Sequence, residues 1–543
     1  MYCRKNQQLF ISVIDRLTRI WHRTFLNKFS PILILSVFSF LTSVSIQANT
    51  ELLRLDSLIL EGKERVYELQ FQAADEIFLQ IQREYPDRPH GYTLQAYATS
   101  LVFSMDQTND SLAQALEAQF NKSLDMADDY KDRYKDDPES YFYLAIANGV
   151  KALYHVVNRS YVKGFFSGRK TKGNLEKAVK LDSTFYDAYF ALGLFHYYAD
   201  LLPGFLKFFA GILGFPGDRE RGRQEVYETA QRGKIFKMEG EFVYHSMGYF
   251  LEGEKNAGFR AFQRLYEKYP SNHALGLMIA YHYRRTGYLQ KCIDACEKIP
   301  DEHSDLLPQI TNVRHYNMAV AHFDLNHFTK ADSLFERLHH LPTRKSDYYN
   351  AGIHYYRGLL ADLRFERAEA VARLSRIEKE KKTKFWYWRS RMPLEYPADS
   401  LTYRYYVANN LLGSRQFVRS MREAKAIKAE IDSGAVPVNP NLKYMVLDLI
   451  GRNYYYTRKY EKAREYFQLI APDFNKVKDK FTRSWIRIHY GRCLRTLDDF
   501  DEAEKMFNKA KDLDDDFTKI IVQREKFINE RRKKQREQGL KEG

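Results

Sequence analysis

LDDFDEAEKMFNKAKDLDDDF, residues 497–517, carries an aromatic at Phe500, Ala503 three residues on, Phe507 four further and Ala510 three beyond that. Steps of three and four place these side chains on one face of an α-helix. The preceding run, SWIRIHYGRCLRTL (484–497), sets Gly491 twelve residues before Ala503. A small residue on one helix and small and aromatic residues on the next form a grammar that can be sought elsewhere in the chain.

The grammar recurs in one phase. Residues 444–470 give Gly451, Tyr460, Ala463 and Phe467, and residues 312–338 give Ala319, Phe328, Ala331 and Phe335, closed by Pro342. Residues 273–299 give Ala280, Leu289, Cys292 and Cys296, and residues 242–270 give Gly258, Phe262 and Leu265, closed by Pro270. Near the start stand Phe71, Ala74 and Phe78, closed by Pro86, while YDAYFALGLFHYY (186–198) reads as a first helix with its close-packing point at Leu192-Gly193. Weaker copies surround Phe365/Ala368 and Phe417/Ser420. With the small residue of the second helix as marker, copies fall at Gly258, Cys292, Ala331, Ala368, Ser420, Ala463 and Ala503, with gaps of 34, 39, 37, 52, 43 and 40.

This pattern resembles the tetratricopeptide repeat (TPR), whose unit is about 34 residues. The resemblance covers roughly residues 52–518 and is degenerate between Leu101 and Lys180. It implies an all-α, TPR-type α-solenoid: a right-handed superhelix of antiparallel helix pairs. In that family the small residue of the first helix lets the second approach, and the aromatics fill the groove between them. A unit that cannot bury its own apolar face must stack on its neighbours, which produces a curved array with a concave side.

Composition agrees with a helical array. Of 543 residues 44% are hydrophobic and 15% aromatic, with only 27 Gly and 15 Pro, too few turn formers for a many-stranded β fold. The formal charge of +15 is concentrated at the ends: residues 1–48 carry six cations against Asp15, and residues 519–543 carry nine Lys/Arg against four Glu. The body is nearly balanced, so a basic nucleic-acid-binding face has little support. Of the four cysteines, Cys292, Cys296 and Cys493 occupy small-residue helical positions and read as buried hydrophobes.

Three regions follow: a leader (1–48), the array (49–518) and a charged helical tail (519–543) expected to fray. In the leader a basic stretch ending at Lys28 precedes PILILSVFSFLTSVSI and then Gln47-Ala48-Asn49, the layout of a secretory signal, with Ala48 the expected cleavage point. The alternative is an uncleaved anchor at residues 29–48. Two insertions interrupt the array: DLLPGFLKFFAGILGFPGD (200–218), apolar and broken by Pro and Gly, and KEKKTKFWYWRSRMPLEYP (379–397), whose aromatics either anchor at a lipid interface, grip a partner or fold back on the helices.

TPR arrays bind peptides or protein surfaces through the first helices, and projecting the copies onto that face selects candidate contact residues. They are Arg284, Arg285, Tyr316 and Arg357, then Tyr405, Asn409, Arg452 and Tyr455, and finally Arg492 and Arg495; the second insertion adds Trp386 and Trp388. Arginines interleaved with aromatics suit an acidic or carboxylate-bearing segment, through forked hydrogen bonds and stacking. The competing reading pairs them with acids on adjacent helices. The Lys/Asn carboxylate clamp of chaperone-binding TPR proteins is not reproduced.

No Gly-rich phosphate loop, His-Glu-x-x-His, metal-spaced Cys pair or Gly-x-Ser-x-Gly elbow occurs, so no cofactor, metal or catalytic role is expected. The expectation is an exported, non-enzymatic scaffold of a bacterial cell envelope, facing the periplasm and binding another protein or peptide. FQAADEIFLQIQREYP and AFQRLYEKYP are locally similar to envelope TPR proteins of outer-membrane assembly. Membrane-surface association through the leader and apolar insert is the alternative, and nucleic-acid binding through the tail is least favoured.

Overall fold

The computed structural model describes residues 50–542 apart from 108, 159, 201–216, 302–305, 344 and 435–438. The leader and most of the first insertion lie outside the described residues. Among the described residues all regular structure is helical, in antiparallel pairs that follow the chain from residue 50 to the helix Asp516–Glu542. Polar caps set many helix starts: Asn109, Asp137, Asp218, Asn272, Asp399 and Asp479 each accept a hydrogen bond from a backbone N–H two or three residues on.

One turn conformation recurs within eight of the helix pairs. Leu69, Gly253, Gly287, Asn326, Phe365, Arg415, Arg458 and Asp498 all have positive φ, and each stands two residues before the first residue of a second helix. The following N–H reaches back over the turn, as in Tyr288→Tyr283, His327→His322, Gln416→Leu411 and Asp499→Leu494 at 2.8–3.0 Å. This left-handed closure satisfies carbonyls at the end of the first helix.

Five residues after each left-handed residue comes the small, buried marker of the second helix: Ala74, Gly258, Cys292, Ala331, Ala370, Ser420, Ala463 and Ala503. The expected marker Ala368 is therefore corrected to Ala370. Ala368 is exposed, and Phe365, taken for the repeat aromatic, is the turn residue, 62% exposed. Elsewhere the family packing rule holds. Phe507 lies so close against Gly491 that a Cβ there would sit 2.5 Å from the ring, and Phe467 covers Gly451 likewise at 3.0 Å.

Distant parts of the array also touch. The N-terminal helix (50–67) packs on the segment near 235–275: Tyr67 Oη donates to Ile235 O at 3.0 Å, Asn272 Nδ2 donates to Tyr67 O at 2.7 Å, and buried Lys63 pairs with Glu239. Asn410 Nδ2 donates to Phe323 O at 2.9 Å. The C-terminal helix Asp516–Glu542, expected to fray, instead buries Val522, Glu525 and Asn529, and its Arg531 donates to Glu252 O at 3.0 Å. Cys292, Cys296 and Cys493 are free and buried.

Candidate functional site

The first helices His273–Arg285, Pro308–Asp324, Asp347–Leu363, Ser400–Gly413, Leu442–Tyr456 and Lys480–Thr496 turn one face inward and line a groove of about 910 Å³. The second insertion closes one side. Its helix Lys384–Glu395 packs against Asp347–Leu363 and touches the C-terminal helix through Phe385 and Phe517, whose ring centres are 4.8 Å apart. Arg367 fixes the end of the insert, donating to Pro393 O at 2.6 Å and to Leu394 O. Arg367 stands where Phe71, Phe328, Phe417 and Phe500 begin the second helix in other repeats. The repeat that carries the insertion has exchanged its aromatic for the group that holds the insertion.

The groove wall is tyrosine-rich. Tyr316 meets Tyr349 edge-on at 5.1 Å, Tyr405 meets Tyr406 at 5.6 Å, and Trp386, 2% exposed, packs between Tyr348 and Tyr355, each at 5.4 Å. Buried aromatics of this size contribute about 1.5–3 kcal/mol each. Arg389, one helical turn from Trp386, lies over the rings of Tyr355 (4.6 Å), Trp386 (5.5 Å) and Tyr356 (5.6 Å). Arg284 donates to Asn317 Oδ1 at 2.9 Å, and Arg415 stacks on Tyr288 at 4.8 Å.

Among the described residues none of Arg284, Arg285, Arg389 and Arg415 has a carboxylate within salt-bridge distance. Among the described residues Asp324 faces them without an ion pair of its own, and Asp479, further along the lining, has none either. Burial pushes Asp324 up to about 6, opposed by the charges of Arg284, Arg389 and Arg285. Lys255, also in the lining, is driven down to about 8 by its enclosure and by the positive charges of Arg524, Arg492 and Arg285. The groove therefore holds more cation than anion. At the far end the balance is closed: Arg452 donates to Asp448 Oδ2 at 2.7 Å, with His489 Nδ1 2.9 Å from Oδ1. Burial opposes the Asp448 carboxylate, but His489 and Arg452 hold it below its ordinary value.

Of the residues expected to make contacts, Arg284, Arg285, Tyr316, Trp386, Tyr405, Asn409 and Arg452 line the groove. The others do not. Arg357 is buried against Asp332 and Glu336 at 3.0 and 3.2 Å. Arg492 and Arg495 face inward but are covered by the C-terminal helix, both bound to Glu525. Tyr455 packs on Tyr456 and Tyr460. Trp388 donates to Asp514 at 2.8 Å beneath Lys379, so neither tryptophan of the insert stands clear to enter lipid. Several tail cations are likewise engaged: Lys526 with Glu504, Lys533 with Asp501 and Arg536 with Asp498. Sequence reasoning missed Arg389, Asp324, Lys255 and Arg415. Only Arg389 left a signal, since Trp386 and Arg389 are an i, i+3 pair.

Among the described residues no cluster of His, Cys, Asp and Glu is arranged to hold a metal, and no helix is long and apolar enough to cross a membrane. Stacked helix pairs around a basic, aromatic groove define an all-α repeat protein of the scaffold class, a class typically without catalysis. The chain belongs to the Iml2/Tetratricopeptide repeat protein 39 family, whose model matches residues 93–375, and a tetratricopeptide repeat model matches residues 486–517. No curated protein matches the sequence. Similar solved structures include a tetratricopeptide repeat protein from Parabacteroides merdae (15% identity, 56% of this chain and 99% of that one, TM-score 0.22). Others are yeast Tom70 (12% identity, 89% and 96%, TM-score 0.21) and Cut9 with Hcn1 of the APC/C (11% identity, 89% and 99%, TM-score 0.25).

Proposed function

We propose that the chain is a non-enzymatic scaffold that holds an acidic segment of a partner protein in the tyrosine-lined groove. One observation carries this reading: among the described residues Arg284 and Arg389 reach the groove with no carboxylate within salt-bridge distance, among rings that can stack on a peptide. Guanidiniums in a partly dry site favour planar carboxylates, and aromatic and arginine side chains dominate protein-binding hot spots. Lys255, Arg285 and Arg415 extend the positive field along the groove. The leader pattern in residues 1–48 supports export, and the scaffold is assigned to a bacterial cell envelope on the periplasmic side. Fractionation with N-terminal sequencing of the mature chain checks that assignment. A mature protein that retains residues 1–48 in a cytoplasmic fraction overturns it.

The groove is tested with a fluorescein-labelled peptide rich in Asp and Glu against a Ser/Gly control of equal length. The acidic peptide binds the wild-type chain in a salt-dependent way, and Arg389→Ala and Arg284→Ala each weaken it about tenfold, or about 1.4 kcal/mol. Equal binding of the two peptides, or variants that bind as the wild type does, would reject the assignment.

A further inference from the structure

We propose that the tip of the helical hairpin Pro138–Val157/Tyr161–Leu181 is a contact surface for an anionic lipid bilayer, independent of the groove. The turn of this hairpin gathers exposed apolar side chains: Val156 (47%), Tyr161 (57%), Val162 (70%) and Phe166 (57%), with Leu153 one turn behind Val156. Large apolar residues singly exposed are ordinary, but a contiguous exposed group marks an interaction site.

Charge names the partner. Between Glu139 and Glu176 the sequence contains no acidic residue and six cations: Lys151, Arg159, Lys163, Arg169, Lys170 and Lys172. Of these Lys163, Arg169 and Lys170 are exposed and have no ion pair among the described residues, whereas Lys172 pairs with Glu176.

Helical geometry orders the two kinds of residue along one face. Tyr161, Val162 and Phe166 occupy the first turn and a half, and Arg169, Lys170 and Gly173 continue the same stripe. At 1.5 Å per residue Arg169 lies about 12 Å along the axis from Tyr161. An apolar end of that length matches burial to about 5–10 Å in the headgroup and acyl boundary, with the cations at the level of the lipid phosphates. The hairpin is stiff enough to present this end, because the two helices meet at Gly164, where a Cβ would lie 2.8 Å from Val156 Cγ2.

The test uses the full chain with Cys3→Ser and Val162→Cys, labelled with an environment-sensitive fluorophore, since the three remaining cysteines are buried. A second preparation carries the label through Val418→Cys, 85% exposed on another helix. With phosphatidylglycerol-containing vesicles the label at 162 shifts to shorter wavelength and is quenched by a lipid-borne quencher, while the label at 418 does not change. Phosphatidylcholine vesicles give no shift, and Lys163→Glu/Arg169→Glu/Lys170→Glu abolishes it. A label at 162 that stays aqueous, even while the chain co-floats with vesicles through its leader, overturns the proposal. So do equal shifts on both vesicle types, and so does a shift without lipid that grows with protein concentration, which identifies a second copy as the occupant.

Discussion

Arg495 donates from Nη2 to Oε2 of Glu525 at 2.7 Å, joining the last complete helix pair to the C-terminal helix that lies across it. Arg492 donates to Oε1 of the same carboxylate at 2.8 Å, so one acid is shared by two guanidiniums on the inner face of the array. The chain fills this part of its own groove.

Removing that acid strands two buried cations. Glu525→Ala is expected to cost about 3–5 kcal/mol, the usual range for breaking a buried pair, read as a lowered denaturant midpoint and loss of amide protection in 516–542. Burial opposes the carboxylate, but Arg492, Arg495 and Arg524 hold it well below its ordinary value. The stabilisation is therefore complete above the unfolded carboxyl value of about 4.3 and is lost as pH falls through the lower folded value. Glu525→Gln should flatten the acid limb of the stability profile.

Close packing at the marker glycines gives a second prediction. Gly491→Ala forces a methyl group to within 2.5 Å of the buried Phe507 ring and should cost about 1–3 kcal/mol of overpacking. Adding Phe507→Leu should recover part of the loss in thermal melts.

The repeat turn makes two substitutions act in opposite directions. Phe365 has φ 64° and a largely exposed ring, so Phe365→Gly removes left-handed strain of about 1 kcal/mol and should raise the melting temperature. Gly287→Ala adds the same strain at φ 81° and drives a Cβ into Gly413 O of a distant repeat, so it should lower it.

Asp324 makes the groove sensitive to pH. Its carboxyl titrates at about 6, above the unfolded value of about 3.9, so stability declines as pH rises through that window. Protonation adds one unit of positive charge beside Arg284 and Arg389. The labelled acidic peptide should bind more tightly at pH 5.5 than at pH 7.5, and Asp324→Asn should remove the difference.

Burial of the three thiols predicts their reactivity. Cys493 is pushed up to about 12 by burial, and Cys292 and Cys296 are fully enclosed. Mass spectrometry after brief alkylation should find all three unmodified in the native chain and modified in denaturant.

The repeat phase was legible because burial of one face of each second helix fixes residue type at fixed spacing, and Ala331, Ala463 and Ala503 obey it. It failed at Ala368 because a turn residue happens to be aromatic: Phe365 mimicked the packing position that Arg367 had vacated. First-helix projection found Arg284, Tyr316 and Tyr405, since period alone assigns the inward face. It could not separate Arg357, whose partners Asp332 and Glu336 lie on the preceding helix, from residues facing the groove. Nor could it place Lys255, which lies near Arg524 and Arg492, or the cover over Arg492, which depends on a helix that begins beyond the last repeat.

The bond from Arg531 to Glu252 has a mechanical consequence. An open coil of helix pairs behaves as a spring, softest in the mode that changes its pitch, and many arrays use that compliance to wrap targets of varied girth. Here a bond across 279 residues of sequence ties the C-terminal helix to the segment at Glu252. Stretching the chain between its ends should meet a stiff initial response until Asp516–Glu542 detaches, and only then the gradual give of an elastic coil.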